Sequence, residues 1–393
     1  MKVKSEVVEM RVYFDNNATT RVDDRVLEEM IVFYREKYGN PNSAHGMGIE
    51  ANLHMEKARE KVAKVLGVSP SEIFFTSCAT ESINWILKTV AETFEKRKRT
   101  IITTLIEHKA VLETMKYLSM KGFKVKYVPV DSRGVVKLEE LEKLVDEDTF
   151  LVSIMAANNE VGTIQPVEDV TRIVKKKNKE ALVHVDAVQT IGKIPFSLEK
   201  LEVDYASFSA HKFHGPKGVG ITYIRKGVPI RPLIHGGGQE RGLRSGTQNV
   251  PGIVGAARAM EIAVEELSEA AKHMEKLRSK LVSGLMNLGA HIITPLEISL
   301  PNTLSVSFPN IRGSTLQNLL SGYGIYVSTS SACTSKDERL SHVLDAMGVD
   351  RRIAQGAIRI SLCKYNTEEE VDYFLKKIEE ILSFLDLTGN NRR

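Results

Sequence analysis

Residues 73–94 read IFFTSCATESINWILKTVAETF: an apolar run, a polar break at Ser77-Cys78, then Ile83, Ile86, Leu87, Val90, Ala91 and Phe94 at helical spacing. An apolar run without alternation fits a strand covered on both faces. Apolar residues recurring every three or four positions fit a helix with one buried side. The unit recurs outward along the chain. TIITT (100–104) precedes a helix from about His108. KVKYVPV (124–130), TFLVSIMAA (149–157), LVHVDA (182–187) and YASFSA (205–210) continue the series, and Pro166 opens another amphipathic helix. Strands alternating with helices predict an α/β fold with a mostly parallel sheet. Ligands of such sheets gather at the carboxyl ends of the strands. Ser77-Cys78-Ala79-Thr80, His108, Asn158-Asn159, Asp186 and Ser209-His211-Lys212 all fall at or just beyond a predicted strand end.

The pattern changes near residue 255. One long helix over 253–288 is predicted, then shorter strands such as TLSVSF (303–308) and a terminal helix near 367–386. The expected division is a large domain over 22–255 and a smaller α+β domain built from 10–21 and 256–386. Residues 1–9 read as an extension, and the polar tail 387–393 is expected to be disordered.

Composition excludes several classes. A net charge of +4 over 393 residues is too mild to argue for nucleic acid. No apolar run approaches the roughly 18 residues that span a bilayer. The opening MKVKSEVVEM lacks the apolar centre of a secretory signal. Three cysteines, Cys78, Cys333 and Cys363, make no disulfide framework and fit a reducing cytoplasm. No metal site is expected.

The chemistry-bearing residues gain weight together. Lys212, beside a strand end and before a Gly-Pro turn, suits a Schiff-base lysine, which must be partly desolvated to lose its proton. Asp186 closes the apolar run VHVD, where it could be a helix cap or the partner of a protonated pyridine nitrogen. Residues 77–80 join a strand to a helix, so their amides could meet a phosphate, with Thr80, Ser209 and His211 adding donors; a plain helix start would look the same. His108 could stack on a ring and shuttle protons. Cys333 lies in the polar stretch STSSACTSKDERLSH (328–342), an exposed setting that suits a nucleophilic thiol. Cys363 reads as a small core residue and Lys217 as a surface or turn residue.

These residues carry a close resemblance. YFDNNATT (13–20), GNPNSAHGMG (39–48), TSCATES (76–82), EHKAV (107–111), NNEVGTIQP (158–166), HVDAVQ (184–189), SAHKFHGPKG (209–218), HGGGQERGLRSGTQN (235–249), SSACTS (330–335) and IRISL (358–362) follow one another through nearly the whole chain. In that order they resemble the pyridoxal-phosphate cysteine desulfurases, which supply sulfur for iron–sulfur cluster assembly.

The resemblance implies an α/β fold of PLP fold type I, aspartate aminotransferase-like, whose large domain holds a mostly parallel seven-stranded sheet. It implies that pyridoxal 5'-phosphate is held by Lys212, with Asp186 on the pyridine nitrogen and Gln189 and Asn159 on the ring hydroxyl side. His108 would stack over the ring. Ala79, Thr80, Ser209 and His211 would hold the phosphate, and Thr247 would reach the phosphate of a neighbouring subunit in a homodimer. Arg359 would pair with the carboxylate of L-cysteine, and Cys333 would take its sulfur and hand it to a scaffold protein. His108 would serve as the acid–base partner of that step. Two positions depart from the family pattern, Cys78 and Cys363 each standing for a glycine; at Cys78 the exchange demands ordinary backbone angles or strain. The competing readings are a lyase for selenocysteine or cysteine sulfinate, and a non-catalytic subunit that keeps the fold.

Overall fold

The computed structural model describes residues 10–329 and 340–390, without the side chains of 386–390. Its centre is a seven-stranded sheet. Across it the strands are Ile73–Thr76, Gly220–Ile224, Tyr205–Ser209, Leu182–Asp186, Thr149–Met155, Thr100–Thr104 and Lys124–Val128. Six run parallel, and Gly220–Ile224 is antiparallel to both its neighbours. The sequence reading did not anticipate that strand. Every residue of six of these strands is buried, the edge strand Ile73–Thr76 among them, which is why their sequences do not alternate. Lys124–Val128 is the exception; as an edge strand it keeps charged, partly exposed side chains that discourage further pairing.

Helices cover both faces. Ala79–Phe94 and Lys109–Met120 bury Ile83, Ile86, Val90, Val111 and Met115 against one side. Gly46–Leu66, Val167–Lys177 and Val250–Glu265 bury Met55, Val62, Val170, Val174 and Ile253 against the other. Clamping the sheet this way leaves its carboxyl edge as the place where irregular backbone and polar side chains collect.

A second, four-stranded antiparallel sheet orders Ser328–Thr329, Ala357–Ser361, Thr303–Ser307 and His291–Ile292. It shares a core with the helices Leu267–Asn287, Gly313–Gly322 and Glu368–Asn390, through Leu277, Leu281, Leu316, Phe374 and Ile378. The N-terminal strand Val12–Tyr13 pairs with Ile325–Tyr326, and Asp15 bridges to Ser361. That pairing brings the polar stretch after it, residues 15–18, to the cavity described below.

Two expectations need correction. The predicted helix over 253–288 is two helices, Val250–Glu265 and Leu267–Asn287, meeting at Glu266. The first packs its apolar side into the core of the large sheet and the second into that of the small sheet, so the helix divides where its packing partner changes. Glu266 marks the junction with ion pairs to Arg25 and Lys364. The terminal helix also runs to Asn390 rather than stopping at 386. Once Phe374, Ile378 and Ile381 anchor it, adding residues extends an existing hydrogen-bonded helix without a new nucleation cost.

Candidate active site

One cavity of about 420 Å³ opens at the carboxyl edge of the large sheet. It is large enough for a cofactor-sized ligand. Its walls bring together Ala79, Thr80, His108, Asn159, Asp186, Gln189, Ser209, His211, Lys212 and Arg359, ten of the twelve site residues expected from sequence.

Lys212 ends a single helical turn, Ala210–Lys212, directly after the strand Tyr205–Ser209. Its Nζ donates to the backbone oxygens of Asn17, at 2.7 Å, and Ala18, at 2.8 Å. Burial pushes its pKa down to about 8, helped by the Arg359 charge and opposed by Asp186 and Asp15. At pH 7 about a tenth of the amine is therefore unprotonated, far more than for an ordinary lysine, and that is the state a nucleophilic lysine needs.

Asp186 is the last residue of Leu182–Asp186 and is buried. Its Oδ1 accepts from the Val188 amide at 3.1 Å. Burial raises its pKa to about 6, while that amide and the Lys212 charge pull it down. A buried carboxylate facing a cavity with so few donors is suited to a cationic partner from a ligand.

The phosphate end is built by backbone. Cys78 precedes the helix Ala79–Phe94 with φ −173 and ψ 167, extended angles that any residue adopts, so the exchange from glycine carries no strain. The Cys78 side chain makes no cap bond. Among the described residues, no protein acceptor takes the amides of Ala79 and Thr80. An uncapped N-terminus of a sixteen-residue helix attracts an anion. Gly220 allows the close approach of this loop to the neighbouring strand: a Cβ there would sit 2.3 Å from Thr76 Oγ1 and 2.5 Å from the Cys78 carbonyl carbon. Buried Ser209 adds a hydroxyl to the wall. His211 shares a hydrogen bond with Thr19 Oγ1 at 3.2 Å, and burial, with the nearby lysine charges, pushes its pKa down to about 4.

His108 caps the helix Lys109–Met120: its Nδ1 accepts from the Ala110 amide at 3.1 Å. That bond fixes the neutral ring with its proton on Nε2, and burial together with the Lys212 charge lowers its pKa. Arg359, in the middle of Ala357–Ser361, donates through Nη2 to Asp15 at 2.6 Å and through Nη1 to the Asn159 carbonyl at 3.0 Å. Its buried Nε has no partner among the described residues.

Thr247 and Cys333 are not brought to this cavity by the described residues. Thr247 is exposed on a loop outside it. That loop is held by Arg59, paired bidentately with Glu240 at 2.8 and 2.9 Å, and by Arg244, paired with Glu81 at 2.8 and 3.1 Å. Cys333 lies outside the described residues. Of the other thiols, Cys78 lines the cavity, whereas Cys363 is buried and its pKa is pushed up to about 11 by that burial. Lys217 is exposed.

Sequence reasoning missed Asp15 and Asn17, although both lie in the quoted YFDNNATT. The available signal was three polar residues together, Asp15, Asn16 and Asn17, directly after the pair Tyr13-Phe14. It also missed Glu107, a buried carboxyl next to His108, and Lys193, four residues beyond Gln189.

Residues 12–374 match the family described as Aminotransferase class-V. The chain belongs to that family. Within it the likeness is to cysteine desulfurases. The chain is 45% identical over 375 residues to cysteine desulfurase IscS of Methanosarcina thermophila, covering 95% of this chain and 92% of that one. It is 43% identical over 376 residues to a cysteine desulfurase of Nostoc, covering 95% and 93%. Among solved structures, a NifS-like protein is 96% identical with a TM-score of 0.92, covering 95% of this chain and all of that one. The apo cysteine desulfurase of Thermococcus onnurineus is 28% identical with a TM-score of 0.85 and 95% coverage of both chains.

The cavity fits the pyridoxal phosphate of this class-V family. It offers a lysine whose amine is partly free, a buried carboxylate that lacks a full set of partners, and unclaimed amides at a helix N-terminus.

Proposed function

We propose that this class-V family member is a pyridoxal-phosphate-dependent cysteine desulfurase that takes sulfur from L-cysteine and releases L-alanine. The observation that carries the reading is the placement of Lys212, Asp186 and Arg359 on the walls of one cavity. When bound, the cofactor supplies an aldehyde carbon for amines and a protonated pyridine that drains electron density from the substrate's Cα.

The protein's own residues do the rest. Lys212 holds the cofactor at rest and, once free, takes and returns the substrate's Cα proton through Nζ. Asp186 keeps the pyridine nitrogen protonated. The amides of Ala79 and Thr80, with Ser209 and His211, hold the phosphate, and Gln189 and Asn159 flank the ring hydroxyl. His108 stacks over the ring and presents a neutral imidazole whose Nε2 proton can move during sulfur release. Arg359 orients the substrate carboxylate; its planar fork suits that task, and its Nε has no partner among the described residues. Cys333, as thiolate, attacks the substrate sulfur. A sulfur–sulfur bond forms as the carbon–sulfur bond breaks, the electron pair stays with the carbon skeleton, and protonation yields L-alanine and a persulfide on Cys333.

The proposal extends to assembly and partners. Thr247 completes the phosphate site of a second copy, and exposed Leu27 and Tyr34 on the helix Asp24–Arg35, Tyr38 in the loop after it, and Ile49 and Leu53 on Gly46–Leu66 offer apolar surface for a homodimer. The persulfide is passed to an iron–sulfur scaffold protein in the cytoplasm. Among the described residues no helix is long and apolar enough to cross a membrane.

The test is incubation of the protein with pyridoxal phosphate, L-cysteine and a reductant, with L-alanine quantified. Many turnovers are expected, and Cys333→Ser should abolish them while turnover of selenocysteine survives, because selenide can leave without thiol attack. Absence of alanine with the cofactor bound would refute the reading.

A further inference from the structure

Lys193 is an unusual lysine. It is only 5% exposed, and among the described residues no carboxylate pairs with it. Its Nζ bonds the side-chain oxygen of Gln189, four residues back. The other end of that amide, Nε2, bonds the backbone oxygen of Asn17 at 3.1 Å. The orientation of the amide follows from these two contacts. A backbone carbonyl can only accept, so Nε2 must face Asn17, Oε1 must face Lys193, and Lys193 must donate. Both the charged and the neutral amine can do so.

The same Asn17 carbonyl also accepts from Lys212, so one continuous chain of hydrogen bonds runs Lys193, Gln189, Asn17, Lys212. Burying an ammonium without a counter-ion is costly. Burial, with the charges of Lys212 and Arg359, accordingly lowers the Lys193 pKa well below the lysine range. His211 and His214 feel its charge from the turn that carries Lys212, and Asp23, Glu266 and Lys364 line the same small internal cavity. The contact with Gln189 leaves one product: the second N–H of Nε2 has no protein acceptor among the described residues, and Gln189 lines the cofactor cavity beside Asp186.

We propose that Lys193 is a positioning residue that locks the Gln189 amide with its nitrogen, rather than its oxygen, available to the ring-hydroxyl side of the bound cofactor. The proposal rests on the cofactor reading given above. With Lys193 in place, Gln189 can only donate to that ring oxygen and favours its anionic form. Without it, the amide is free to turn its oxygen inward and favour the protonated form.

The test reads the resting enzyme rather than its turnover. The protein is loaded with pyridoxal phosphate, without substrate, and its visible absorbance is titrated against pH for the wild type, Lys193→Met, Gln189→Ala and the double variant. A hydrogen-bond donor to an anion lowers the pH at which the anion's proton is lost, so Lys193→Met is expected to raise the titration midpoint by about one pH unit. In the Gln189→Ala background the same substitution should shift nothing. An unchanged midpoint in Lys193→Met overturns the proposal. So does an equal shift in both backgrounds, which would mean Lys193 acts through its charge alone. A wild-type protein with no visible band overturns the cofactor reading itself. Methionine keeps the lysine stem and removes only the buried amine, so the thermal unfolding midpoint is expected to hold or rise.

Discussion

The two sheets contribute unequally to the cavity. The seven-stranded sheet delivers its groups from strand ends: Asp186 closes one strand, Ser209 closes the next, and Lys212 and Thr80 follow within a few residues of theirs. The four-stranded sheet delivers one, Arg359, from the middle of Ala357–Ser361. At a strand end the backbone has left its ladder, so amides are free and side chains turn into the crevice. In mid-strand the ladder occupies the backbone and only a long side chain can reach out. Arg359 also depends on segments outside its own sheet, since Asp15 and the Asn159 carbonyl hold its guanidinium. On the function proposed above, the large sheet would perform the chemistry and the small sheet would select the substrate.

That division of labour can be broken by experiment. The largest effect is expected at Lys212→Ala, which should cut alanine formation by more than about a thousandfold and remove the covalent attachment of the cofactor. The check is a turnover assay together with the visible spectrum. Arg359→Ala should behave differently. Loss of charge-assisted hydrogen bonds to a carboxylate is worth about 1.5–3 kcal/mol, or roughly a ten- to hundredfold drop in kcat/KM. The visible spectrum of the loaded enzyme should be retained, and its loss would erase the proposed contrast between the sheets.

The smallest effect concerns Glu107, which lies next to His108 and bonds two strands of the large sheet. It is fully buried; Thr104 and the Met155 amide donate to its Oε1, and its Oε2 has no partner among the described residues. Burial raises its pKa to about 8 despite the Thr104 bond, and Asp186 adds to the rise. The native carboxyl therefore keeps its proton between the ordinary glutamate pKa and about pH 8, where the unfolded chain has released it. Stability contributed by the protonated form is full below the unfolded pKa and falls as pH rises through that window. Glu107→Gln should be more stable than the wild type at pH 8, by on the order of 2 kcal/mol, with the gap closing below the glutamate pKa. Denaturant titrations at pH 4 and pH 8 would show it, and a gap independent of pH would mean the carboxyl titrates in the native state as it does in the unfolded chain.

Much of the site was legible because strand-end residues keep local signatures. The apolar run before Asp186, the polar break at Ser77-Cys78 and the Gly-Pro turn after Lys212 each mark a boundary that a reader of the chain can find. The helix break at Glu266 left no such mark, because each half follows a different core and both halves have good helical periodicity. Lys193 was hidden for a related reason. Its neighbours TIGKIP carry no carboxylate, their glycine and proline signal only a turn, and its burial arises from segments far away in sequence.

The sequence by itself determined the α/β architecture, the family, and the identities of the lysine, aspartate, histidine and arginine that serve the cavity, because periodicity and strand-end chemistry are written locally. Only the tertiary structure decided that Asn17 lies against Lys212, that Asp15 holds Arg359, and that Lys193 fixes the Gln189 amide. Those contacts join residues about 170 to 345 positions apart, Lys193 excepted. Their direction depends on which donor is left facing which acceptor once the two cores have closed, a matter no local pattern encodes.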